Sequence, residues 1–131
     1  MANPIRILVA EDHDYLREQL AILLDAVDGM QVVGTADNGK KAVDLCTPLR
    51  PNIVLIDAVM PVMDGFSATR AIRQQFPHIR VVVLTNSFTG EHKTAIDAGV
   101  NALLRKPVSS EQIAQVIRTI HKEQYNGILF L

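Results

Sequence analysis

The sequence is short of several things, and each shortage removes a class of protein. It holds a single cysteine, Cys46, so no internal disulfide can form and the chain fits a reducing compartment. It has no excess of one charge. The formal net charge is -1 and the pI about 6.4, which leaves no global basic field to draw nucleic acid or an anionic membrane to this chain by itself. Long apolar runs are missing too. The opening "MANPIRILVAED" meets acids after a stretch too brief for a secretory signal core, and no other run approaches the roughly 20 residues of a membrane span. There are no internal repeats, low-complexity tracts or linker-like segments. A soluble, cytoplasmic protein without membrane contact is the expectation.

What is present suits one domain: 131 residues, 48% of them apolar, are enough for a single core and few for two. Continuous β-branched-rich runs at Ile5 to Ala10, Gln31 to Ala36, Ile53 to Ile56 and Val81 to Leu84 suit strands buried on both faces, and Ala102 to Leu104 is a weaker fifth. Between them the apolar period becomes helical. Leu16, Leu20, Leu23, Leu24 and Val27 share a face, as do Ala42, Leu45, Cys46 and Leu49, and Ile113, Val116, Ile117 and Ile120. Ala68, Ile72 and Phe76 mark another helix, and Glu91 to Ala98 a short one; Ser109 or Ser110 can cap the last. Strand and helix thus alternate five times. That pattern predicts a five-stranded parallel sheet in a (βα)5 three-layer α/β/α sandwich with right-handed crossovers.

In open α/β sheets ligands gather outside the carboxyl ends of the strands, where loops and helix N-termini converge. Applied here, that rule selects Glu11 and Asp12 after the first strand, Asp57 at the end of the third, Thr85 at the end of the fourth and Lys106 after the fifth. The second strand contributes only the plain turn "ADNGK". Neighbouring carboxylates repel and would destabilise the fold unless a cation offsets them. Magnesium takes oxygen ligands and keeps several waters, so two or three carboxylates plus a carbonyl make a plausible site with room for phosphate oxygens. Lys106 and the Thr85 hydroxyl then offer a positive point charge and a directed donor to a bound phosphoryl group. One carboxylate can itself be the nucleophile that forms an aspartyl phosphate, and Asp57 is the choice.

These residues, with "DAVMPVMDG" around Asp57, the acid pair Glu11-Asp12, Thr85 and Lys106-Pro107, resemble the receiver domain of two-component response regulators from Ile5 to about His121. "QVVGTADNGKKAV" further resembles the subclass joined to a C-terminal helix-turn-helix DNA-binding domain. The resemblance implies a flavodoxin-like receiver topology. It also implies a sensor histidine kinase as phosphodonor to Asp57, and Mg2+ held by Glu11, Asp12, Asp57 and the Val59 backbone carbonyl. The peptide before Pro107 is cis in this family. Switching there moves the Thr85-type hydroxyl to the new phosphoryl oxygen and turns an aromatic inward behind it, reshaping the face of the fourth helix, fifth strand and fifth helix, where a homodimer contact would lie. The position of that aromatic is Leu103 here, which departs from the pattern and lacks a hydroxyl. Asn86 replaces the usual small residue after the threonine, and apolar Val59 and Asn86 are expected to hinder the attacking water and slow loss of phosphate. The implied organisation is a receiver over residues 1–124 and a tail over residues 125–131 that would start a linker to an output domain. DNA would be contacted, and transcription regulated, only through that absent domain.

Blander readings stand beside these. Glu11-Asp12 suits the start of a helix, where acids complement the dipole. Met60 and Met63 read as packing residues, and Cys46 as a buried structural thiol on its helix stripe. His13 is taken as a surface loop histidine, and His78, His92 and His121 show no metal-ligand spacing. Two other functions compete: a receiver-like interaction module that is never phosphorylated, and a magnesium-dependent phosphohydrolase. The second would want an acid two residues after Asp57, where Val59 stands. A nucleotide-binding flavodoxin-like protein would want a glycine-rich loop after the first strand, and there is none.

Overall fold

The apolar runs at Ile5 to Ala10, Ile53 to Ile56 and Val81 to Leu84 form the centre of a parallel sheet, as expected, whereas Gln31 to Ala36, also read as buried on both faces, lies on an edge strand, where a missing neighbour leaves only Ala36 of that run buried. In the computed structural model, which describes residues 3–87, 90–122 and 127–131, the strands are β1 (Ile5–Ala10), β2 (Met30–Ala36), β3 (Ile53–Asp57), β4 (Arg80–Thr85) and β5 (Ala102–Arg105). They alternate with α1 (Asp14–Asp25), α2 (Gly39–Leu49), α3 (Gly65–Gln75), α4 (Glu91–Ala98) and α5 (Ser110–His121). The strand order is β2-β1-β3-β4-β5, all pairs parallel, so the chain reverses its direction of travel across the sheet next to β1. A sixth strand, β6 (Leu129–Phe130), extends the sheet by pairing parallel to β5. The sequence reading had five because two paired residues are too few to show a period. Asn126, read as a helix stop, and the 124/125 boundary lie outside the described residues, while Gly127 to Leu131 lie along the domain.

Alternation along each strand builds two cores. Ile7 and Val9 of β1 pack with α1 and α5, together with Leu55, Val82, Leu104, Ile113 and Ile117. Leu8 and Ala10 face the other way, onto α2, α3 and α4, with Val54, Ile56, Val83, Ala42 and Ile72. Burying each aliphatic side chain of this kind contributes roughly 1.5–3 kcal/mol, so both faces must be covered and the period-2 pattern disappears from the sequence. The α1 stripe is narrower than the sequence reading drew it. Leu20 and Leu24 are buried and Val27 packs on them from beyond the helix, but Leu23 is 47% exposed and Leu16 37%. Leu23 lies at the edge of the stripe, about half in solvent.

Helix starts follow local chemistry. Asn38 caps α2 by accepting from Lys41 N, and Ser109 caps α5 in a reciprocal box with Gln112. Cys46 is fully buried in α2, as expected, and its thiol donates to the Ala42 carbonyl. Burial pushes that thiol up to about 11.

Candidate functional site

Backbone hydrogen bonds deliver the strand-end residues to one edge. The Glu11 amide donates to Ala36 O at 3.0 Å, the Ala58 amide to Leu84 O at 2.8 Å and the Lys106 amide to Thr85 O at 2.7 Å. Each bond continues the parallel ladder by one step past its strand, so the next side chain emerges over the carboxyl edge. The Lys106-Pro107 peptide is cis, as the resemblance implied.

Lys106 is the hub. Its Nζ lies 2.5 Å from Asp57 Oδ1 and 3.7 Å from Glu11 Oε1. Asp57 and Glu11 are buried, at 8% and 1% exposure, so these charges meet with little solvent between them. Glu11 Oε2 accepts from the His13 amide at 3.1 Å and lies 3.2 Å from His13 Nδ1. Asp12 is more open, its Oδ1 3.4 Å from the same nitrogen. His13 is 77% exposed, as a surface histidine should be, yet its ring bridges both acids. The bond to Glu11, and then the negative charges of Asp12 and Glu11, hold its imidazole above the ordinary histidine value. Arg17 braces the edge by donating from Nη1 to Glu11 O at 2.9 Å.

The loop after Asp57 explains "MDG". The Gly65 amide donates to Ala58 O at 2.9 Å, closing the loop on itself. A Cβ on Gly65 would collide with the Asp57 carbonyl oxygen and stand 3.0 Å from Ala58 Cα, so only glycine lets α3 start here. Asp64 caps α3, its Oδ1 accepting from Phe66 N at 2.9 Å and Ser67 N at 3.0 Å. Met60 is buried and Met63 packs on the core, both as read from the sequence. Val59 and Val62 stand in solvent, and Val62 has φ 69°, a costly setting for a β-branched residue.

Thr85 is buried at the edge, but its hydroxyl is turned towards α4. Oγ1 lies 2.6 Å from Glu91 Oε1 and 2.9 Å from Ser87 O, and accepts from Ser87 N at 3.1 Å. Asn86 is exposed in the following loop. Leu103 is fully buried in β5 on the α4 side. The structure therefore gathers Glu11, Asp12, Asp57 and Lys106, sets Thr85 on the adjacent strand end, and leaves the Val59 and Asn86 side chains at the rim. Sequence reasoning passed over Glu91, whose only signal was its place at the first turn of a weakly patterned helix. His13, read as a surface loop histidine beside the acid pair, is one, and its ring also bridges those two acids.

The residues suit a hard dication. Glu11 Oε1 is buried and accepts no hydrogen bond among the described residues, which leaves an anionic acceptor facing into the site. Among the described residues Glu11, Asp12 and His13 bring ligand atoms within 4.8 Å of one another. Asp57 is linked to that group through Lys106. Carboxylate oxygens are the donors magnesium prefers.

Comparison with known proteins gives one answer throughout. The family described as Response regulator receiver domain matches residues 7–118. The chain is 37% identical over 120 residues to the transcriptional regulatory protein LiaR of Bacillus subtilis, covering 90% of this chain and 56% of LiaR. It is 33% identical over 122 residues to the response regulator protein VraR of Staphylococcus saprophyticus, covering 92% of this chain and 58% of VraR. It thus spans little more than half the length of these curated relatives. The signal receiver domain of the response regulator NarL from Mycobacterium tuberculosis superposes with a TM-score of 0.87 at 27% identity, covering 94% of this chain and 100% of that one. A DNA-binding response regulator of the LuxR family from Staphylococcus aureus gives 0.84 at 27% identity, covering 90% and 99%.

Proposed function

The chain belongs to the response regulator receiver domain family, and on that footing we propose that it accepts a phosphoryl group on Asp57 from the phosphohistidine of a sensor histidine kinase. An Asp57 carboxylate oxygen attacks phosphorus, the P–O bond forms as the P–N bond to the donor imidazole breaks, and the electron pair leaves with the imidazole nitrogen. Phosphoryl transfer asks a protein mainly for positioning and charge stabilisation, and the ammonium of Lys106 supports both. It holds the Asp57 carboxylate before transfer and meets the equatorial phosphoryl oxygens after it. The Thr85 hydroxyl is the nearby donor able to follow the new charge, leaving Glu91 to do so. Glu11, Asp12, Asp57 and the Val59 carbonyl would hold Mg2+, whose chemistry here is to neutralise the charge of the phosphoryl oxygens.

The observation that carries this reading is the Lys106 ammonium 2.5 Å from Asp57 and 3.7 Å from Glu11, at the end of a buried sheet where a bare carboxylate cluster would otherwise be costly. The phosphohydrolase alternative lacks its acid, because Val59 stands where one is wanted and projects into solvent. No helix among the described residues is long and apolar enough to cross a membrane, and a cytoplasmic location is part of the proposal. Output is assigned to the remainder of a longer regulator, in keeping with the names of the relatives and the roughly half of their length spanned here, and transcription is the proposed readout. The test is incubation with magnesium and acetyl phosphate, followed by intact mass. One added phosphate on the wild type and none on Asp57→Ala is the expected result. Acquisition of phosphate by Asp57→Ala, or none by either protein, overturns the assignment.

A further inference from the structure

β6 covers the outer edge of β5, and its contacts lead back to Thr85. The Leu129 amide donates to Asn101 O at 2.9 Å, the Leu131 amide to Leu103 O at 2.9 Å, and the Arg105 amide to Leu131 O at 3.1 Å. Leu129 packs on the α1/α5 core, while Ile128 and Phe130 pack on the α4 side. Phe130 pairs with Leu103, Leu103 with Val83 and Val83 with Ile56, a row that ends one residue short of Asp57. Its ring lies against that of His92, with centroids 4.3 Å apart and planes tilted by 34°. His92 follows Glu91, whose carboxylate bonds the Thr85 hydroxyl beside the Ser87 backbone. An aromatic ring supplied by β6 therefore sits beside Leu103 and reads the first turn of α4.

The geometry points to the edge of β5 as a strand-docking site whose resting occupant is the chain's own Gly127 to Leu131, held while Thr85 is bonded to Glu91 and released when that hydroxyl is drawn to a phosphoryl group on Asp57. Release bares the β5 edge and the apolar face that Ile128 and Phe130 cover, which is the template a further strand would pair with. The physical step is local. Glu91 is only partly exposed, so loss of its 2.6 Å partner leaves a carboxylate seeking solvent. Its movement carries His92 off the Phe130 ring. Only a few main-chain bonds and a short apolar strip then hold β6, which places it at the low-stability end of the fold.

This inference rests on the Asp57 reading, and the test separates the two. Backbone amide exchange is measured on the full chain before and after incubation with magnesium and acetyl phosphate, and intact mass counts phosphate in the same sample. The Leu129, Leu131 and Arg105 amides should be protected in the unmodified chain and exchange about tenfold faster once one phosphate is on, the scale set by losing one charge-assisted hydrogen bond. The Val83 and Leu84 amides should be unchanged, which reports an intact sheet. Equal protection of β6 in both forms, with phosphate present, overturns the coupling. If no phosphate is acquired, the Asp57 reading is what fails, and Glu91→Ala alone decides the strand. About tenfold faster exchange at Leu129 and Leu131 in that variant upholds the tether, and unchanged exchange overturns it.

Discussion

Replacing Lys106 with methionine keeps most of the side-chain volume and removes the ammonium shared by Asp57 and Glu11. At an effective dielectric of about 20 the gross attractions at 2.5 Å and 3.7 Å are about 7 and about 4 kcal/mol. Most of this is offset by the desolvation of the three charges, which costs several kcal/mol per buried ion. The lysine side chain retains 20% exposure and that of Asp57 11%, so the pair is neither a surface bridge nor a dry one. What the variant leaves is a buried Asp57 carboxylate without its partner, and breaking pairs of that kind costs about 3 kcal/mol. With a urea slope of about 1.5 kcal/mol per molar, the unfolding midpoint should fall by about 2 M in metal-free buffer. Asp57→Asn in the same protein should not fall, because it removes a charge that no longer has a counterion. Adding magnesium should restore part of the loss in Lys106→Met and little of it in the double variant. A Lys106→Met midpoint within about 0.3 M of wild type would refute the view that the lysine offsets the acids.

Gly65→Ala should cost about 2 kcal/mol or more and slow phosphate uptake, since the new methyl must displace the Asp57 carbonyl; chemical denaturation and intact-mass time courses read both effects. Asp64→Ala should cost about 1 kcal/mol as a lost helix cap. Partial burial raises the Asp64 carboxyl, but donors from Ser67 and Phe66 outweigh it and hold the group below the usual carboxylate range. Its charge-dependent contribution is therefore present above a pH of about 4 and lost as pH falls through the depressed value, so wild type and Asp64→Asn should converge in acid melts. Burial pushes the Cys46 thiol up to about 11, so that contribution runs the other way. It is intact below a pH of about 8.5 and lost as pH rises towards the folded value, and thiol-reagent labelling should proceed only at the rate of unfolding. If Val59 and Asn86 shield the acyl phosphate from water, Asn86→Ala and Val59→Asn should shorten its half-life, and an unchanged half-life would end that idea.

Much of this fold is legible in the sequence, for specific reasons. Ile5–Ala10 matched residue for residue, because Ile7 to Ala10 are buried on both faces and leave an apolar run that Arg6 alone interrupts near its start. α5 matched because Ile113, Val116, Ile117 and Ile120 are all buried at helical spacing. The site was legible because its members sit at strand ends, which the run lengths fix. What stayed hidden depended on side-chain direction or on very short elements. Nothing in "TNS" announces that the Thr85 hydroxyl turns to Glu91, since a rotamer has no sequence period. "NGILFL" is apolar enough to pack, but only the exposed β5 edge decides that Leu129 and Phe130 become a strand. Leu23 was placed inside because a stripe counted on a straight helix comes out wider than the surface it covers.

The way the acids are held separates their placement from their charge. Glu11, the residue after Asp57 and Lys106 are each fixed by a main-chain bond to the neighbouring strand, so no carboxylate is needed to set the geometry of another. Charge at the site is then an addition to a scaffold set by the main chain, and Asp57→Asn should retain the sheet and the Glu11 position. Thr85 shares such a main-chain bond with Lys106, but its hydroxyl, beside its contacts to the Ser87 backbone, is also held by a side chain from another element, Glu91. A group bound by geometry cannot report a change of charge, whereas one bound by a movable partner can. That difference makes the Thr85–Glu91 bond, and not the Asp57–Lys106 pair, the place where phosphorylation should first become movement.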